Sequence, residues 1–357
     1  METVVTAVIS DLHLGTRTKG DLLARPAVRA TLIDALESAD HVVLLGDSIE
    51  LRDGPVADAL DAAAPFFEDL GEALAGRRVT IVPGNHDYQL GSPWLARRRA
   101  VGDGSPLALE ELSTPRHGDP LDRLARRMTG TELVLGYPGV WLRPDVYATH
   151  GHYLDCHNQV ATFECLARAL AEKLTRAPKG GYTTPDDYEA VLAPVYRAID
   201  RIAQSRRARH AALAGKAVVR WWEGLNGYRG RQGPMSRLLG RTAGPAALAV
   251  IDRLGLGAFR GDPASVGMRR PGVDAMAQVV ARLRIDADHV LFGHLHRPGS
   301  WRLEGGTALV NTGSWVYEPA HLGTSPADSP YWPGTCTFIH DHGPPELRHL
   351  LGAVISP

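Results

Sequence analysis

The 357-residue chain predicts an α/β fold, and three observations carry that reading. Apolar, β-branched runs alternate with helical stretches across residues 3–100. Five apolar runs along the chain end in a carboxylate, an imidazole or a carboxamide. Hydrophobic residues make up 44% of the sequence, ample for a buried core.

Taken in order, Val4–Ser10 predicts a strand, and Arg29–Ser38 a helix with apolar positions at helical spacing. His41–Leu45 predicts a buried strand, Ala57–Ala75 a helix and Arg78–Val82 a third strand. Such alternation argues for a layered α/β domain. Residues 101–130 are charged and hold Pro106, Pro115 and Pro120, which predicts loops. Glu132–Leu135 and Val140–Leu142 flank Tyr137-Pro138-Gly139, and that pattern predicts a hairpin. Val146–Thr149 predicts a short strand ending at His150.

The character of the chain changes from Cys156 to about Gly272. Strand signals vanish, and helices are expected at Gln159–Leu174, Asp186–Ser205, Ala211–Leu225 and Ala246–Leu254. This stretch holds about 19 Lys/Arg against about 9 Asp/Glu, although the whole chain is nearly neutral at -1. Residues 156–272 are therefore read as a helical insertion, or cap, between two parts of a catalytic domain formed by 1–155 and 273–357. Beyond it, Val273–Leu283 predicts a helix and Val290–Phe292 a strand. Thr307–Asn311, Cys336–His340 and Leu347–Ala353 predict an antiparallel β region.

Composition excludes several classes. Cys156, Cys165 and Cys336 are too few for a disulfide framework and lack zinc-finger spacing, so reduced thiols are expected. Met1-Glu2-Thr3-Val4 leads at once into a strand, and no apolar run approaches the roughly 20 residues that span a bilayer. A soluble, cytoplasmic protein is the expectation.

The polar strand ends carry the chemistry. They read Asp11-Leu12-His13, Gly46-Asp47, Gly84-Asn85-His86-Asp87, His150-Gly151-His152 and Gly293-His294-Leu295-His296. Phosphoester hydrolysis at neutral pH needs a nucleophile stronger than water and relief of charge on the phosphoryl oxygens. Two divalent cations roughly 3.5–4 Å apart supply both. Holding them needs a bridging carboxylate within a mixed shell of imidazole, carboxylate and carbonyl donors. Asp11, His13, Asp47, Asn85, His150, His294 and His296 offer that set. Any one block has an ordinary explanation as a turn or a chance pair. All five in order, each at a predicted strand end, do not.

In order and content the blocks resemble those of the calcineurin-like metallophosphoesterase superfamily. The resemblance implies a four-layer α/β/β/α sandwich, two mixed sheets flanked by helices, here with a large helical insertion. It implies one metal on Asp11, His13, Asp47 and His296, and a second on Asp47, Asn85, His150 and His294. His86 would then face the phosphate and stabilise charge or protonate the leaving oxygen, while Asn85 helps to hold the phosphate. Members often carry an acidic residue where Glu50 stands, hydrogen-bonded to the catalytic histidine. A carboxylate there would fix the His86 tautomer and favour the protonated imidazole. Asp87 and His152 receive no assigned role, and His150 is preferred over His152 because it directly ends its strand.

Gly46-Asp47-Ser48-Ile49-Glu50 and Gly293-His294-Leu295-His296-Arg297-Pro298 resemble blocks of the UDP-2,3-diacylglucosamine pyrophosphohydrolases. That branch also inserts helices before the fifth block, but commonly has arginine where His86 stands. The expected activity is thus hydrolysis of a phosphate ester or pyrophosphate in a lipid- or nucleotide-linked substrate. The donor set suits manganese, iron or zinc alike, and two divalent ions are expected, manganese foremost. Arg206, Arg207, Arg209, Arg229 and Arg231 could meet a polyanion or line a solvated face, and the basic insertion could touch a membrane surface. Trp221 and Trp222 read as packing anchors. A nuclease is the alternative within the fold, disfavoured by the neutral net charge and the lack of a nucleic-acid module. A catalytically silent scaffold is the other, disfavoured because every expected ligand and His86 are present.

Overall fold

The computed structural model of the protein describes residues 4–17, 20–101, 104–157, 181–204, 271–318, 322 and 329–352. Its first half contains β1 (Thr6–Ile9), β2 (Gly20–Asp21), α1 (Pro26–Leu36), β3 (His41–Leu45), α2 (Val56–Ala73) and β4 (Arg78–Val82). A 3-10 turn (Tyr88–Leu90), α3 (Ser92–Val101), β5 (Glu110–Ser113), α4 (Pro120–Ala125), β6 (Glu132–Arg143) and β7 (Val146–Thr149) follow. A second 3-10 turn (His152–Cys156) precedes α5 (Pro185–Ala203) and α6 (Pro271–Leu283). The chain ends with β8 (His289–Phe292), β9 (Gly299–Arg302), β10 (Ala308–Asn311), β11 (Val316–Tyr317), β12 (Thr335–Ile339) and β13 (Glu346–His349).

Strands hydrogen-bond in the order β13-β12-β1-β3-β4-β6-β7-β8-β10-β9, with β5 also on β6. β6 divides this path into two sheets. Its first residues, Glu132–Leu135, pair with β4, whereas Gly139 to Arg143 pair with β7. The expected hairpin at Tyr137-Pro138-Gly139 is therefore absent, and one strand runs through it. Pro138 falls between the stretches paired to β4 and to β7, so its missing N–H costs no ladder bond on that side.

Side-chain alternation then builds the layers. In the first sheet Ala7, Ile9, Val42, Leu44, Val79 and Ile81 face a core shared with Leu32 and Leu36 of α1 and Phe66, Phe67 and Leu70 of α2. The intervening Val8, Val43, Leu45 and Val82 face the second sheet, meeting Val140, Val146, Ala148, Leu291 and Val310. On the far side of the second sheet, Tyr147, Val290, Phe292 and Leu309 pack with Tyr188, Val191 and Leu192 of α5 and Met276 and Val279 of α6. Helices, sheet, sheet, helices is the four-layer order expected. Each fully buried aliphatic or phenyl group contributes about 1.5–3 kcal/mol to holding it.

Several elements differ from expectation. The charged 101–130 segment holds β5 and α4, whose short lengths give little periodic signal. α3 was not anticipated either, because it is arginine-rich and buries only Leu95. β9 was missed, and β10 pairs antiparallel with it, as its region was expected to, but parallel with β8 on the other edge. Of the four helices expected between Cys156 and Gly272, Asp186–Ser205 corresponds to α5. The other three, with their arginine runs and Trp221-Trp222, lie outside the described residues. Cys156 and Cys336 are both buried. No helix among the described residues is long and apolar enough to cross a membrane.

Phe67 is fully buried where α2 meets the first sheet. Phe67→Ala is expected to lower unfolding stability by about 3–5 kcal/mol, read as a lower urea midpoint at unchanged slope. A loss below about 1 kcal/mol would mean that the site collapses around the missing ring.

Candidate metal centre

The five blocks meet where β1, β3 and β4 of one sheet and β7 and β8 of the other end, all at their C-terminal edges. Backbone hydrogen bonds fasten neighbouring loops: Asp11 N to Gly46 O at 3.0 Å, His13 N to Asp47 O at 2.8 Å and Gly293 N to His150 O at 2.9 Å. Asp11, His13, Asp47, His294 and His296 have φ of 54°, 46°, 50°, 65° and 55°. The left-handed region costs non-glycine residues of order 1–3 kcal/mol each and persists only where surrounding structure enforces it. Here it turns carboxylates and imidazoles of separate strands toward one point.

Two glycines are required by close approach. A Cβ on Gly84 would collide with Asp47 Oδ1 and stand 2.7 Å from both Asp47 N and His150 Cδ2. On Gly293 it would collide with Asp11 Oδ2 and lie 2.7 Å from Ser10 Oγ.

All seven proposed ligands converge. Donor atoms of Asp11, His13 and His296 lie within 4.8 Å of one another, as do those of Asp47, His150 and His294. Asp47 stands between the groups, with Oδ2 3.3 Å from His150 Nε2 and 3.8 Å from His13 Nε2. Asn85 Oδ1 is 3.1 Å from both His150 Nε2 and His294 Nδ1. His296 Nε2 lies 3.2 Å from Asp11 Oδ1.

Partners behind the imidazoles set which nitrogen faces inward. His150 Nδ1 donates to Leu45 O at 3.0 Å, leaving Nε2 for the site. His13 Nδ1 donates to Glu50 Oε2 at 3.0 Å with the same result. His294 is reversed: Nε2 donates to Asp155 Oδ1 at 3.0 Å, so Nδ1 faces Asn85. Glu50 also receives His86 Nδ1 at 2.8 and 2.9 Å, the contact expected from its position, and thus serves two histidines. Asp155 was missed by sequence reasoning. Its only signal was an acidic residue shortly after His150, and nothing in one sequence shows that a 3-10 turn carries it back to His294.

The two undecided residues have clear places. Asp87 is buried and accepts N–H bonds from Gly84 at 2.6 Å, Ser48 at 2.7 Å and Asp47 at 3.2 Å, fastening the second block to the third. Burial and the Asp47 charge outweigh these bonds and push its carboxyl up to about 7. His152 is buried beside the His150 ring and against Tyr153 and Tyr196. Burial, with His150 and His294 nearby, holds its imidazole well below the usual range.

Electrostatics define what the centre demands. Burial alone would raise the Asp47 carboxyl, yet His150, His86 and His13 hold it well below its ordinary value. Glu50 is held low in the same way, against burial, by His86 and His13. Conversely, burial would lower His150, but Asp47, Asp11 and Asp87 push it up to about 10. His294 is raised too, its burial outweighed by Asp155. Buried carboxylates thus require positive charge, from protonated imidazoles or from cations. Reversing the Asn85 amide would point Nδ2 at Asp47, His150 and His294 and Oδ1 at Arg52 Nη1, 3.2 Å away, so hydrogen bonding within the chain favours the reversed amide, whereas a cation held there would require the oxygen inward. The donor chemistry fits divalent metal ions.

The chain belongs to the calcineurin-like phosphoesterase family, which matches residues 4–183 and so includes four of the five blocks. The fifth, at Gly293–His296, lies beyond the match and is returned to the others by β8. Among solved structures, a dimetal phosphatase from Danio rerio is similar over 98% of this chain and 97% of that one, at 13% identity and a TM-score of 0.40. No curated protein matches the chain.

Because His150 is pushed up to about 10, it holds a proton at pH 7 without metal, and ligation must displace it. Manganese binding is therefore expected to release protons and to weaken as pH falls, measured by calorimetry in buffers of different ionisation enthalpy. A heat independent of buffer would contradict this. Asp155→Ala is expected to weaken one of two manganese sites about 10–100-fold, and equal affinities in the variant would deny Asp155 its orienting part.

Proposed function

We propose that the protein is a dinuclear, metal-dependent hydrolase of a phosphate ester or pyrophosphate bond. The observation that carries this reading is Asp47 standing between two donor groups, with a histidine backed by a carboxylate beside them. Asp11, His13, Asp47 and His296 would hold one ion, and Asp47, Asn85, His150 and His294 the other. When bound, the pair supplies Lewis acidity to the phosphoryl oxygens and a stronger nucleophile from water.

The remaining roles belong to the chain. His86 keeps 22% of its side chain exposed, while its Nδ1 is tied to Glu50, so Nε2 is left for the substrate. It holds the proton that the leaving oxygen takes. Glu50 fixes that tautomer and, through His13, one ligand as well. Asn85 positions the phosphate, and Asp87 keeps the loops of Asp47 and Asn85 in register.

Manganese is the proposed metal, with iron or zinc as alternatives. Residues 156–272 are proposed as a cap that selects a lipid- or nucleotide-linked substrate, in the manner of the UDP-2,3-diacylglucosamine pyrophosphohydrolases. Glu50 and the fifth block support that branch, whereas His86 departs from it. The cytoplasm is the proposed compartment, with the basic cap as the proposed contact to anionic lipid.

The test is a manganese-supplemented screen of phosphomonoesters, phosphodiesters and nucleotide pyrophosphates. One class is expected to turn over, with His86→Ala lowering kcat by about 10²–10⁴ while two metal equivalents remain bound. Asp47→Asn is expected to lower turnover at least as far and to lose metal. Full activity in either variant would sink the mechanism.

A further inference from the structure

A buried carboxylate outside the metal centre has no part in the scheme above. Glu189 is fully buried on α5 and receives three tyrosine hydroxyls: Tyr88 on Oε2 at 3.0 Å, Tyr153 on Oε1 at 3.0 Å, and Tyr137 also on Oε1. Arg99 lies 3.9 Å from Oε2. The tyrosines come from three separate places. Tyr88 directly follows Asp87 and starts the turn after the third block. Tyr153 lies on the 3-10 turn that also carries Asp155. Tyr137 sits in β6, where the two sheets join.

Glu189 is one of a row. Tyr196, Asp200 and Gln204 follow it seven, eleven and fifteen residues later, which places all four on one side of a helix. The Tyr196 ring lies 5.2 Å from the Arg52 guanidinium carbon and 5.2 Å from the Tyr88 ring. Gln204 Nε2 donates to Gly54 O, and its Oε1 accepts from Val56 N, each at 3.0 Å. This side of α5 thus rests on the loop after Glu50 and on the turns behind Asn85–His86 and His150.

We propose that Glu189 is a positioning residue for the metal centre. It ties the turn behind Asn85, His86 and Asp87 to the turn bearing Asp155, and thereby sets the distance between the Asn85 and His294 donors. Three hydroxyls on one carboxylate suit this task, since only an ionised carboxyl offers lone pairs on both oxygens and no competing donor. Glutamine presents one acceptor oxygen and turns an N–H₂ toward a hydroxyl; alanine leaves three buried hydroxyls without this acceptor. A helix that precedes the fifth block in sequence thus sets loops that carry the third and fourth.

The inference rests on the metal reading above, and its test separates the two. Wild type, Glu189→Ala, Glu189→Gln and Tyr153→Phe are compared as full-length chains. Metal-free hydrogen exchange at residues 84–90 and 151–156 is measured, then manganese titration by calorimetry, then kcat and KM on the best substrate. Exchange at both turns is expected to quicken in Glu189→Ala while β1 and β3 stay protected. One manganese equivalent should weaken at least about tenfold and the other little. kcat should fall more than KM rises, with Glu189→Gln recovering part of the loss. Tyr153→Phe keeps its ring and should show the same pattern more weakly, which preserves the test if Glu189→Ala does not fold. Protected turns and two wild-type manganese affinities in the variants would overturn the proposal. A wild-type protein that binds no pair of manganese ions would instead remove the reading of the site itself.

Discussion

Burial of the Asp47 carboxylate is the constraint on which the centre depends. Its side chain is 2% exposed, Oδ1 accepts the His86 N–H at 2.7 Å, and Oδ2 faces imidazoles from both sheets. A carboxylate withdrawn from water costs several kcal/mol unless compensating charge surrounds it. Every neighbouring feature answers that demand. Imidazoles approach with their second nitrogens tied back, Asp87 holds the loop by its backbone, and glycine replaces side chains where the carboxylate passes closest. The same buried negative charge is what suits the centre to cations.

Rigidity comes from a layer of carboxylates that meet no proposed metal. Glu50, Asp87 and Asp155 each fasten a different pair: two histidines, two loops, and a histidine with its turn. Five left-handed residues show how much local preference the loops surrender for this arrangement. The two sheets make the concession stable, since three cores hold the strand ends beneath those loops. α5 contributes from outside, for its residues share a core with β7 and β8 while its polar side meets the turns above them.

Legibility in the sequence followed the strength of periodic and terminal signals. β3 and β4 were readable to the residue, because β-branched runs bounded by polar groups have few other fates. α3, α4, β5 and β9 were not, being short or polar enough that partners rather than pattern decide them. Tyr137-Pro138-Gly139 misled for a related reason. Turn chemistry is local, but whether the flanking segments pair with each other or with different strands is decided elsewhere in the chain.

The sequence alone marked the candidate donors: seven proposed ligands, His86 and Glu50, each at or just past a strand end. Strand direction makes such positions informative, since parallel strands deliver their C-terminal residues to a common edge. Only the tertiary structure decided the second rank. That Glu50 holds His13 as well as His86, that Asp155 turns His294 around, and that Glu189 gathers three tyrosines all depend on contacts between segments remote in sequence. Hydrogen bonds over such separations leave no spacing to read. They exist only once two sheets and α5 have brought their ends together.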